Sequence, residues 1–82
     1  MVENDESVPL DPRGVCVDQN DNILVVDRQT ARVLIYNPTG GFIGVLLCKK
    51  DGLVEPRTCC LSGNNTLSIT DEACGIKTFS FF

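Results

Sequence analysis

Apolar positions in this chain come in short runs, each bounded by turn chemistry. GVCV (residues 14–17), NILVVD (22–27), RVLIY (32–36) and GFIGVLLC (41–48) follow one another. They are rich in β-branched residues, the composition of strands. Gln19-Asn20-Asp21-Asn22, Arg28-Gln29-Thr30-Ala31 and Asn37-Pro38-Thr39-Gly40-Gly41 separate them. Asn and Asp favour turns, proline presets φ, and glycine admits positive φ. The pattern predicts a four-stranded antiparallel meander with short connections. After KKDGLVE (49–55) the signals resume as TCCLS (58–62), TLSITD (66–71) and GIKTFSFF (75–82), with no fourth strand. Runs such as ILVV and VLIY are apolar at consecutive positions instead of alternating. That predicts burial on both faces, as in a propeller blade between two neighbours.

The two halves repeat one another. PRGVCVDQNDNILVVD (12–27) and PRTCCLSGNNTLSITD (56–71) align without a gap at an offset of 44 residues. Pro12 falls on Pro56, Arg13 on Arg57, Cys16 on Cys60, Asn20 on Asn64 and Asp27 on Asp71. Self-similarity at such a period is the signature of a repeat architecture. The chain therefore divides into a head (1–11), a first blade (12–48), an inter-blade loop (49–55) and an incomplete second blade (56–82). Repeat arrays need about three units to cover their apolar faces. Two blades predict a piece of a larger propeller or an assembly of copies, with further blades or self-assembly covering the open faces.

Composition and charge narrow the function classes. The chain has 82 residues, 43% apolar and 22% charged, the make-up of one small globular domain. Its net charge of −4 sits in the head, where Glu3, Asp5, Glu6 and Asp11 have no basic neighbour; residues 12–82 are balanced. This is not the basic footprint of a strong nucleic-acid binder. No apolar run has the length of a membrane span, and MVENDESVPLD lacks the features of a secretion signal, so the expectation is a cytoplasmic chain with no membrane contact. Five cysteines, an odd number, argue against a disulfide framework. Cys16 and Cys60 repeat one another and read as buried, inert thiols. Without histidine, and without a C-x₂-C pair, no metal site, cofactor or base-activated nucleophile is expected, and the chain reads as no enzyme.

Two groups of polar residues remain. In a four-strand meander the loop between strands two and three lies at the same end as the loop leading to the next unit. That end gathers Arg28, Gln29 and Thr30 with Lys49 and Lys50, and Arg13 and Arg57 begin the innermost strands there. It is the candidate partner-binding face. Asp27 and Arg32 flank one hairpin loop and read as a structural, hydrogen-bonded ion pair closing it. The second unit keeps Asp71 but aligns Ile76 with the arginine, so Asp71 requires other partners, with backbone amides the first choice.

Residues 12–43 resemble an NHL repeat. The matching features are Pro12 and Gly14 before an apolar pair, Asp18, the Asn-Asp-Asn turn, VVD ending at Asp27, then Arg32-Val33 and a turn with Gly40. The second unit departs from the pattern at Thr58, Ser62 and Ile76. A WD-repeat blade is similar in length, but its histidine and tryptophan signatures are absent. The resemblance implies an all-β fold of two four-stranded antiparallel blades, the second incomplete, within a six-bladed propeller. It also implies a non-enzymatic module at the C-terminus of a protein similar to tripartite-motif E3 ubiquitin ligases. There the propeller's loop face recruits protein substrates; in several members it binds RNA, which is the alternative here.

Overall fold

The computed structural model describes residues 8–62 and 66–80. Glu3, Asp5 and Glu6 of the acidic head, the Gly63-Asn64-Asn65 turn and Phe81-Phe82 lie outside the described residues. The chain is all-β, in two antiparallel sheets. The first contains β1 (Pro12–Val17), β2 (Ile23–Asp27), β3 (Arg32–Tyr36) and β4 (Phe42–Leu47) in sequential order. The second contains β5 (Pro56–Leu61), β6 (Thr66–Asp71) and β7 (Gly75–Ser80), also in order. β1 and β5 start two residues earlier than the apolar runs. Both begin at a proline, which is tolerated at the first position of a strand because its missing N–H leaves no ladder bond unmade there. Within the stretch read as a plain loop, Lys49–Asp51 form a single 3₁₀ turn. Asp51 Oδ2 accepts the Cys48 N–H at 3.0 Å, and Gly52 ends the turn at φ 96°.

Cross-strand register assigns each side chain to a face. In the first sheet Cys16, Leu24 and Ile35 stand opposite one another, as do Gly14, Val26 and Val33. This inner face meets the second sheet, with β5 lying against β1 and β2. Leu24, Val26, Val33 and Leu47 pack with Leu67 and Ile69 of β6, with Ala31 from a loop and Leu53 from the connection. All eight are nearly inaccessible, so this inter-sheet layer is the hydrophobic core. Gly14 marks its tightest point. A Cβ there would sit 2.8 Å from the Arg57 carbonyl oxygen and 2.9 Å from Thr58 Cα. Only glycine lets β1 approach the β5 backbone so closely.

The outer faces depart from the expectation that every strand is covered on both sides. On the first sheet's outer face Val15, Val25, Leu34 and Val45 form one row, and Val17, Ile23, Tyr36 and Phe42 another. Leu34 is buried at its centre, but Val15 is 63% exposed and Val17 54%. Tyr36 and Phe42 are half-buried here and meet edge to face with ring centroids 5.6 Å apart. On the second sheet the outer rows are Thr58, Thr70 and Ile76, then Cys60, Ser68 and Thr78. The continuous apolar runs therefore report on one buried face and one water-facing apolar face in the first sheet. In the second sheet β6 alternates in the ordinary way of a sheet with one wet side, while β7 sets Ile76 on that wet side and Lys77 on the inner one.

Candidate functional site

The ends of β2 and β6 carry the same carboxylate doing the same work. Asp27 accepts hydrogen bonds from the backbone N–H of Leu10, at 3.2 Å, and of Asp11, at 2.8 Å. Asp71 accepts them from Val54, at 2.8 Å, and Glu55, at 3.1 Å, the residues 44 positions later. Each aspartate thus ties down the segment that leads into its sheet. The repeat extends to the backbone: Arg28 N–H donates to the Asp11 carbonyl and Glu72 N–H to that of Glu55, both at 3.0 Å. Asp27 is fully buried and Asp71 4% exposed. Burial alone pushes both carboxyls up. At Asp71 the amides of Val54, Ala73 and Glu55 outweigh it and hold the pKa at about 2. At Asp27 the Thr30 hydroxyl, the amides of Asp11 and Leu10, and Arg32 likewise leave it below the ordinary value.

Asp27 and Arg32 do pair across the loop, with their hydrogen bonds carried by Thr30. Arg32 Nη2 stands 3.9 Å from Asp27 Oδ2, and Thr30 mediates between them. The Thr30 hydroxyl donates to Asp27 at 2.6 Å and accepts from Arg32 Nε at 2.9 Å. Thr30 is therefore committed to the loop's interior and is withdrawn from the partner-binding set. In the second unit the residue opposite Asp71 is Gly75, not Ile76. Its hairpin loop is one residue shorter than that between β2 and β3, so the ungapped alignment slips there. Gly75 takes φ 84° to make the tighter turn.

The loop end does bring Arg13, Arg28 and Arg57 to one side of the molecule, but each is engaged by a carboxylate. Arg28 bridges the two units, with Nη2 3.0 Å from Glu55 Oε2 and Nε 3.3 Å from Glu72 Oε1. The Nε contact is off the N–H axis, so it is an ion pair without a hydrogen bond. Arg57 Nη1 lies 3.5 Å from Glu72 Oε2, and Arg13 Nε 3.1 Å from Asp11 Oδ1. Gln29, Lys49 and Lys50 are exposed at the same end. A shallow open depression around the β6–β7 turn is lined by Arg57, Thr70, Asp71, Glu72, Gly75 and Ile76. The pairing of Arg28 with Glu55 and Glu72 was missed from sequence. Its one signal was the placement of both acids at the two ends of the second unit's innermost hairpin.

The opposite end is organised around Asp18. Its carboxylate accepts from the N–H groups of Asn20 and Asn22 at 2.8 and 2.9 Å and from Asn22 Nδ2 at 3.1 Å, closing the β1–β2 turn in which Asp21 takes φ 64°. This is a self-satisfied turn. The cysteines also differ from the reading of buried thiols: Cys60 and Cys74 are exposed, and Cys16, Cys48 and Cys59 are half-buried. Cys60, the repeat partner of Cys16, points to the outer face, because the sheets pack inner face of one against the opposite face of the other. Among the described residues no group of His, Cys, Asp and Glu could hold a metal ion, and no helix is long and apolar enough to cross a membrane.

Comparison with curated proteins gives no match. Residues 10–36, spanning the Asp27-bound lead-in segment and β1 to β3, match the family model of the NHL repeat, a module of protein and RNA interaction.

Proposed function

We propose that this chain is a non-enzymatic, cytoplasmic protein-interaction module whose binding surface is the loop end bearing Arg13, Arg28, Gln29, Lys49, Lys50 and Arg57. In the tripartite-motif setting the resemblance implies, this surface presents substrates for ubiquitination. The observation that carries the reading is the charge pairing at that end. Asp11, Glu55 and Glu72 already neutralise its three arginines. A phosphate backbone would have to displace those carboxylates, whereas a mosaic of both signs suits the polar and charged groups of a protein surface. The six-bladed ring belongs to the same proposal. The apolar outer face of the first sheet is the side on which a further blade packs.

A photo-crosslinker placed at Gln29 or Lys50 in the full protein, in cells, tests this. Protein adducts that survive ribonuclease and are absent from a control position at Asn20, on the opposite end, support the reading. Adducts that disappear with ribonuclease assign the face to RNA, and equal labelling from both ends removes the loop end as the site.

A further inference from the structure

The two innermost strands converge at Gly14, and two residues further along β1 they bring two thiols together. Cys16 projects from the inner face of the first sheet and Cys59 from the facing side of β5. Their Sγ atoms are 3.0 Å apart although the residues are 43 positions apart in sequence. Two unbonded sulfurs ordinarily rest well beyond that separation. We propose that Cys16 and Cys59 are a modification site: a thiol pair that a small disulfide such as oxidised glutathione converts to an intrachain disulfide, fastening one sheet to the other.

The chemistry balances with that oxidant. The Cys16 thiolate attacks one sulfur of oxidised glutathione, an S–S bond breaks, and one glutathione thiolate leaves. Cys59 then loses its proton and attacks the Cys16 sulfur of the mixed disulfide, expelling the second glutathione. The protein loses two hydrogens and two electrons, and one glutathione disulfide becomes two thiols. The environment favours this order. The Cys59 S–H hydrogen-bonded to Cys16 lowers the Cys16 pKa, while the same bond and burial raise that of Cys59. Cys16 is thus the nucleophile that forms first, and Cys59 the resolving thiol held against it. Both are half-buried at the margin of the core and not enclosed within it. Cys60 is adjacent in sequence but projects to the opposite face of β5, away from Cys16.

The test uses the whole chain, reduced, desalted and held under native conditions with oxidised glutathione. The expected product has lost two hydrogens at Cys16 and Cys59, carries no glutathione on either, and on digestion without reductant gives a peptide containing Cys16 joined to Cys59, with fragmentation between Cys59 and Cys60 fixing the partner. Cys60→Ser is expected to behave like the wild type. Cys59→Ser is expected to stop at a glutathione adduct on Cys16, and Cys16→Ser to form neither that adduct nor the intrachain bond. A wild-type chain that only accumulates glutathione, or that joins Cys16 to Cys60 or Cys74, overturns the proposal without reference to any variant's folding.

Discussion

The two sheets have the same ancestry in sequence and opposite surfaces in space. At the +44 offset Leu24 becomes Ser68 and Val26 becomes Thr70, and the register places Ile35 against Thr78. In the first sheet these positions form the core layer. In the second the same positions face water, and hydroxyls fill them. Thr58 Oγ1 and Thr70 Oγ1, 2.5 Å apart, satisfy one another there. The difference shows that the strand pattern of the repeat and the burial of its faces are separable. The strands need β-branched residues and turns, while polarity of a face follows what lies against it. The first sheet's outer face gains from an apolar cover, and the second's carries mostly groups compatible with water.

The largest effect should come from the repeat-related pair Leu24 and Ser68. Leu24→Ala removes a fully buried side chain from the inter-sheet layer and is expected to cost about 3 kcal/mol in urea unfolding. Ser68→Ala, at the equivalent position, should stay within about 0.5 kcal/mol. Equal costs would mean that the second sheet's outer face is covered in solution and that the contrast between the sheets does not hold.

The two aspartates sharpen the opposite point, that the sheets share one device. Asp71 has its pKa depressed from 3.8 to about 2. A depressed carboxyl contributes stability that is fully present above the unfolded value and is lost as pH falls through the folded one. Asp71 therefore accounts for about 2 kcal/mol that disappears between pH 4 and pH 2, since a tenfold change in proton affinity is worth about 1.4 kcal/mol. Asp71→Asn should flatten the acid limb of a stability–pH curve in that window. Asp27, also depressed, should show the same sign of response in Asp27→Asn. A variant whose acid limb matches the wild type would detach that aspartate from the hydrogen bonds described.

Much of this was legible in the sequence because local signals coincide with tertiary ones. Apolar runs and Asn, Asp, Pro and Gly turns marked all seven strands within two residues, and the meander followed from short connections. What escaped depended on which face meets which. The runs ILVV and VLIY could not say that Val25 and Leu34 lie on a face with no second layer over Val15. Aligning Cys16 with Cys60 found the same strand position but hid the spatial neighbour, Cys59, because facing sheets meet through opposite faces. At the loop end strand order alone places Arg13, Arg28 and Arg57 near one another. It could not reveal that Glu55 and Glu72 close on Arg28 across the two units, nor that Thr30 turns inward to Asp27.

The hairpin loops differ in length and should respond differently to glycine exchange. Gly75 sits at φ 84° with open space where a side chain would begin, so Gly75→Ala is expected to cost about 1 kcal/mol through backbone strain alone. Ala31 occupies φ 54° in the longer loop and buries its methyl in the core. Ala31→Gly gains backbone ease and loses about 0.8 kcal/mol of burial, leaving thermal stability nearly unchanged. A large loss in Ala31→Gly would show that the methyl's packing outweighs the turn.

The smallest change in stability should accompany the clearest contrast between the outer faces. Val17 and Ser80 are both exposed, one on each outer face, so Val17→Lys and Ser80→Lys should each shift unfolding by less than about 0.5 kcal/mol. Their effects on association should diverge. Val15, Val17 and Val45 make the first sheet's outer face an exposed apolar patch, which draws molecules together as concentration rises. The second face is mostly hydroxyls, with Ile76 its large exposed apolar side chain, and gives a weaker drive. In sedimentation velocity the wild type and Ser80→Lys should therefore show the same rise of sedimentation coefficient with concentration, and Val17→Lys should suppress it. If the lysine on the second sheet were the one to suppress association, the hydroxyl face would be the sticky one. Composition would then be a poor guide to which blade face seeks a neighbour.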